Sequence, residues 1–177
     1  VLGNHDYGDY QSWESPQAKD DNLRSLIEYQ DLMGFKMLNN QSIQLEKDGQ
    51  TIRLAGVENW GEPPFKQYGD LAGTLGDVEA DEFTILMTHD PTHWDAEVRG
   101  HQKQVHLTLS GHTHGFQMGI EIPGIRLSPV QLRYRQWAGI YEENGEFLYV
   151  NRGFGFIGFP GRVGIWPEVT VLELQKA

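Results

Sequence analysis

Apolar positions along the chain come in short blocks whose spacing switches between helical and alternating. From Asp21, residues Leu23, Leu26, Ile27 and Met33 fall on one helical face, with Asp21 placed to cap the start and Gly34 to end it. Residues 42–46 and 51–57 alternate about Asp48-Gly49, which predicts a hairpin. Two denser apolar runs, 83–87 and 105–109, read as buried strands, and each leads into histidine: Thr88-His89-Asp90-Pro91 after the first, Ser110-Gly111-His112-Thr113-His114 after the second. Between them Pro91 to Arg99 predicts a short helix, with Pro91 suited to its first turn. Val1-Leu2 read as the end of a strand that runs straight into the loop Gly3-Asn4-His5-Asp6. Farther on, 140–142 and 147–150 flank Asn144-Gly145 as a second hairpin, 152–161 is a loop of glycines and aromatics, and 169–174 reads as a closing strand. Glu62-Pro63-Pro64 and the stretch 69–76 read as loop with one helical turn. The pattern is that of an α/β fold in a single domain over 1–177, without repeat or linker, and in such folds functional groups gather in the loops at strand ends.

Composition narrows the chemistry. With 177 residues, 38% of them hydrophobic and 22% charged, the chain can bury a core, and no apolar run approaches the roughly 20 residues that span a bilayer. Cysteine is absent, which removes disulfides, thiolate metal sites and thiol nucleophiles together and leaves a metal to His, Asp, Glu or Asn. The 14 Lys+Arg against 25 Asp+Glu give a net charge of -11, which opposes a broad grip on nucleic acid. That acidic excess lies in the first hundred residues. The remainder is close to neutral and carries Arg126, Arg133, Arg135, Arg152 and Arg162, of which Arg152 opens the aromatic loop at a strand end and is the candidate for contact with an anionic substrate.

The 7 histidines divide by context. His93 beside Trp94, His101 and His106 read as packing or surface residues. His112 and His114 are two apart, so an extended backbone would direct both imidazoles to one side, and Gly111 admits close approach. Imidazole suits zinc, manganese or iron. In Asn4-His5-Asp6 the Asn carbonyl is a hard oxygen donor and His5 a proton donor whose charge the Asp6 carboxylate would set; the same residues also suit a plain turn in which Asn and Asp satisfy the backbone.

In order, G-N-H-D, an apolar strand ending in His, and G-H-T-H resemble the second half of the calcineurin-like metallophosphoesterase family, whose pattern runs D-x-H, G-D-x-x, G-N-H-D or G-N-H-E, a lone His and G-H-x-H. The Gly139-Ile140-Tyr141 hairpin, L-Y-V-N-R-G-F-G and W-P-E-V-T-V-L-E-L are similar to the bacterial membrane- or wall-associated branch containing phosphodiesterases and UDP-2,3-diacylglucosamine hydrolases. The resemblance implies a four-layer α/β/β/α sandwich that here lacks its N-terminal strands. It implies that Asn4, His89 and His112 hold one metal, that His114 holds a second, and that His5, oriented by Asp6, protonates the leaving oxygen. It implies two divalent ions (Mn, Fe or Zn) and a metal-bridged hydroxide that attacks a phosphodiester or pyrophosphate. D-x-H and G-D-x-x do not precede Gly3, and neither Gly69-Asp70 nor Gly76-Asp77 replaces them, since both come after G-N-H-D and follow no apolar strand. This chain is therefore expected to supply about half the site and to hold at most one ion, weakly. The implied partner is a phosphorylated small molecule or lipid-linked substrate, with membrane contact only through a segment ahead of Val1. The alternative is a non-catalytic module that keeps the scaffold and binds one metal or a partner.

Overall fold

A computed structural model describes residues 1–175. Helix α1 spans Pro16–Leu32, five residues ahead of the start predicted at Asp21. Ser15 is the better cap, because its Oγ accepts from the Ala18 N–H at 3.1 Å and Pro16 supplies a preset φ at the first helical position. Asp21 lies inside the helix and pairs with Arg24 instead. The chain leaves α1 through Gly34, whose φ of 86° fits the left-handed exit that glycine allows. Leu23, Leu26 and Ile27 are only half-buried, and no residue of α1 is fully buried.

Strands β1 (Gln41–Lys47) and β2 (Gln50–Gly56) form the first predicted hairpin, with Asp48 and Gly49 both at positive φ as a two-residue mirror-image turn requires. A four-residue helix α2 (Leu71–Thr74) follows, capped by the Asp70 carboxylate. Next come β3 (Thr84–Met87), a π-helical turn at Trp94–Val98 where a short helix was predicted, and β4 (Leu107–Ser110). A ribbon of β5 (Ile120–Ile122) and β6 (Ile125–Leu127) folds about Pro123-Gly124, a turn signal in plain view that the sequence reading passed over. The hairpin β7 (Gly139–Glu143) and β8 (Glu146–Val150) completes the set.

Six strands join in the order β1-β2-β3-β4-β8-β7, parallel from β2 through β8 and antiparallel at both edges. The result is a mixed α/β architecture around a central sheet, as expected. Ala55, Leu86, Thr108 and Leu148 share one register line and one face, all fully buried, and α2 with the π-turn closes over them through Leu71, Leu75, Trp94 and Val98. The predicted closing strand 169–174 forms no ladder. Among the described residues it pairs with neither open edge of the sheet, β1 or β7; Thr170 Oγ1 is bonded to Tyr149 and Asn151, while Val169 and Val171 are 80% and 92% exposed. Among the described residues, no helix is long and apolar enough to cross a membrane.

Candidate active site at the carboxyl ends of two central strands

Because β3 and β4 are parallel neighbours, their carboxyl ends open on the same edge of the sheet. The ladder continues past the strands, with Thr88 N donating to Leu109 O and Gly111 N to His89 O, both at 3.0 Å, which holds the two histidine loops side by side. The N-terminal loop is folded against them. A Cβ on Gly3 would lie 2.7 Å from the His89 ring, so this approach requires glycine.

Three donor atoms meet there. Asn4 Oδ1 lies 3.0 Å from His89 Nε2 and 3.2 Å from His112 Nδ1, and the two imidazole nitrogens are 3.0 Å apart. Neighbouring ligands of one small divalent ion, each about 2.0–2.2 Å from it, are separated by about this distance. Burial, reinforced by the neighbouring histidines, pushes the His89 pKa down to about 3. Burial also lowers His112, against the opposing pull of Asp90, and lowers His114, where Arg162 adds to the effect. The rings are therefore neutral and present lone pairs. His114 lines the same cavity, and its buried Nδ1 has no hydrogen-bond partner among the described residues. The donor set is two imidazoles and an amide oxygen with a third imidazole nearby; among the described residues no group of three His, Cys, Asp or Glu is arranged for a metal.

The backbone of the second loop is not extended, as the two-residue spacing of its histidines had suggested. His112 and His114 have φ of 65° and 51°, with Thr113 helical between them, and Phe116 and Gln117 are also left-handed. Each such residue costs about 1–2 kcal/mol. The turn is held against that cost by buried bonds: Thr113 Oγ1 donates to Trp137 O and Ser128 Oγ to Gly115 O, both at 2.8 Å.

His5 is exposed at the cavity, its ring 4.8 Å from that of Tyr10. Asp6 makes no hydrogen bond to it. The Asp6 carboxylate accepts from Gly3 N at 2.7 Å and closes the turn, the structural role that the sequence had left open. The structure does not bring Arg152 to the cavity lining: its guanidinium donates to Glu168 at 2.6 Å and Glu121 at 2.5 Å, which fasten the aromatic loop to the β5–β6 ribbon and neutralise the charge. His93 packs, fully buried, between Thr88 Oγ1 and Glu97 and against Trp60.

Three residues of consequence were not singled out from the sequence. Tyr10 Oη accepts from Asn4 Nδ2 at 2.9 Å. Tyr134 Oη lies 2.7 Å and Asp90 Oδ2 3.3 Å from His112 Nε2, behind the donor cluster. Asp90, next to His89 and before a proline, had a signal in the sequence; Tyr134 had none. The cavity, about 870 Å³, joins this polar floor to walls of Phe65, Phe116, Val130, Phe156, Ile157 and Phe159.

The calcineurin-like phosphoesterase family matches residues 1–116, and the chain belongs to it. The chain is 32% identical over 184 residues to the uncharacterized metallophosphoesterase YkuE of Bacillus subtilis, covering 99% of this chain and 55% of that protein. It is 29% identical over 190 residues to a bovine transmembrane protein with metallophosphoesterase domain, covering 100% of this chain and 38% of that one. It is 29% identical over 145 residues to the phosphodiesterase YaeI of Escherichia coli, covering 80% and 48%. The chain thus spans about half the length of the curated relatives it matches. No solved structure matches it.

Proposed function

We propose that this chain is the part of a metal-dependent phosphoester hydrolase that carries Asn4, His89, His112 and His114 of a two-metal centre. The observation that carries the reading is the triangle of Asn4 Oδ1, His89 Nε2 and His112 Nδ1, with sides of 3.0, 3.2 and 3.0 Å. Membership of a family that generally uses divalent metals supports it. In this reading the Asp and His donors of D-x-H and G-D-x-x come from sequence ahead of Val1, as do the strands that complete the sandwich. The relatives' greater length accommodates both.

Bound divalent ions would supply positive charge for the phosphoryl oxygens and an activated water. The chain's own residues do the rest. Neutral His89 and His112 keep lone pairs available, and Tyr10 holds the Asn4 amide. His5, at the cavity wall and free of Asp6, is placed to give a proton to the departing oxygen. The substrate is a phosphodiester or pyrophosphate of a phosphorylated small molecule or lipid-linked compound.

The test is hydrolysis of bis(p-nitrophenyl) phosphate by the longest natural form of the protein, with and without Mn²⁺. Turnover should require the metal and disappear in His112→Ala; full activity in that variant would sink the assignment. A second reading, a module that binds one cation without turnover, is favoured by the absence of a three-member His/Asp/Glu cluster among the described residues. One weak Mn²⁺ site on the chain with no hydrolysis by the longest form would select it.

A further inference from the structure

The cavity has two unlike halves. Its floor is the imidazole and amide cluster, whereas the side formed by Phe116, Val130, Phe156, Ile157, Gly158 and Phe159 offers no polar side chain. Phe156, Ile157 and Phe159 are 64%, 48% and 40% exposed, an unfavourable state for large apolar groups unless something covers them in use.

These side chains are fixed in place by struts. The fully buried Gln117 carboxamide spans the loop: Nε2 donates to Phe159 O at 2.8 Å and to Gly161 O at 2.5 Å, and Oε1 accepts from Ile157 N. Gln117 ends the left-handed turn that begins at His112, so one residue joins the apolar wall to the donor cluster. Arg162 ties the other end, donating to His114 O at 3.1 Å, Arg152 O at 2.8 Å and Gly155 O at 2.9 Å. A hydroxyl-rich sugar would find no hydrogen-bonding side chain on this wall and would lose its solvation there.

We propose that Phe156, Ile157 and Phe159 form an apolar subsite for the ester substituent of the substrate, an alkyl or aryl group, and that Gln117 is the positioning residue that sets this wall relative to the histidines. The proposal rests on the phosphoester reading and deepens it. Its occupant follows from continuity: the wall and the imidazoles line one cavity, so a group seated on the wall is attached to whatever reaches the floor. Phe154, 79% exposed, lies outside that lining and serves as a control.

The experiment is calorimetric titration of the longest natural form of the protein with methyl, butyl and hexyl phosphate in Mn²⁺ buffer, each below its micelle concentration. Affinity should rise about fourfold for each methylene that reaches the wall. Phe156→Ala combined with Phe159→Ala should flatten this slope and leave methyl phosphate binding within twofold, whereas Phe154→Ala should keep the slope. Gln117→Leu should also flatten the slope, weakening hexyl phosphate more than methyl phosphate, a split that general loosening of the fold would not give. If methyl phosphate binds and the wild-type slope is flat, or if the slope survives the double substitution, the subsite is overturned. A flat slope accompanied by binding to zwitterionic phospholipid vesicles would assign the exposed rings to a bilayer surface instead. If no alkyl phosphate of any length binds, the phosphoester reading itself fails and the subsite falls with it.

Discussion

Strands β3 and β4 carry two regions that obey opposite rules. Midway along them, Leu86 and Thr108 sit on a face closed by α2 and the π-turn, among mainly apolar buried neighbours and on regular backbone, although Thr108 Oγ1 and Trp94 Nε1 have no hydrogen-bond partner among the described residues. At their carboxyl ends, only a few residues on, neutral imidazoles face one another, a buried His114 nitrogen has no partner among the described residues, and several left-handed residues follow in close succession. The first arrangement is what stability alone selects. The second raises the free energy of the fold and persists because the first holds it, which marks the strand ends as the place where structure serves chemistry.

That contrast is most easily broken from the core side. Leu86→Ala removes a fully buried side chain and should lower unfolding free energy by about 2–5 kcal/mol, read by urea denaturation. Its Mn²⁺ affinity, measured where the variant is still folded, should stay within twofold of wild type. Were the folded variant to lose its Mn²⁺ site, core and rim would be one cooperative unit and the contrast would dissolve.

A smaller change tests the rim by itself. Asp90, 1% exposed, presents a carboxylate to His112 Nε2, and a carboxylate only accepts. The hydrogen-bond partner of Nε2 is the Tyr134 hydroxyl, which can donate or accept, so the negative charge of Asp90 beside it favours the proton on Nε2 and leaves the Nδ1 lone pair toward Asn4 and His89. Asp90→Asn offers an amide donor instead and should move the proton to Nδ1. Mn²⁺ affinity should then fall about 10–100-fold, the usual effect of losing a group that orients a ligand. Nitrogen-15 shifts of His112 would locate the proton; unchanged shifts and affinity would remove Asp90 from the site.

How far the sequence could foretell this differs between the same two regions. β3, β4 and both predicted hairpins were legible because their apolar blocks are short, dense and bounded by Asp-Gly, Asn-Gly or histidine. The closing strand at 169–174 was misread because alternation says that a segment can pair and not which strand it will meet: β7 takes the second edge of β8, and the segment lies against neither β1 nor β7 as a ladder. The histidines were found by spacing and motif. Their left-handed backbone was not, since nothing local in Gly111-His112-Thr113-His114 forbids an extended strand; Ser128 and Trp137, distant in sequence, bend it. Tyr134 was invisible for the same reason, and Arg152 was nominated by position without knowledge of the two carboxylates that hold it.

The smallest expected effect lies where the N-terminal loop is anchored to the body. Asp9 accepts from Lys19 at 2.5 Å, Lys66 at 2.8 Å and Tyr68 at 2.7 Å, and this cluster clamps the loop that carries Asn4 and His5. Burial alone would raise the Asp9 pKa, but these donors outweigh it and hold the carboxyl at about 2, below its ordinary 3.8. Because the folded value is the lower one, the unfolded chain takes up the proton first as pH falls. The contribution is therefore complete above about 3.8 and is lost as pH drops through about 2. Lys66 is largely solvated, so the share at stake is discounted to about 1 kcal/mol. Urea titrations at about pH 5 and about pH 2.5 should show Asp9→Asn losing less stability on acidification than wild type, by about that amount. Identical acid sensitivity in both proteins would show that the clamp does not hold the loop and that the rim is positioned by the Gly3–His89 contact and the ladder beyond β3 and β4.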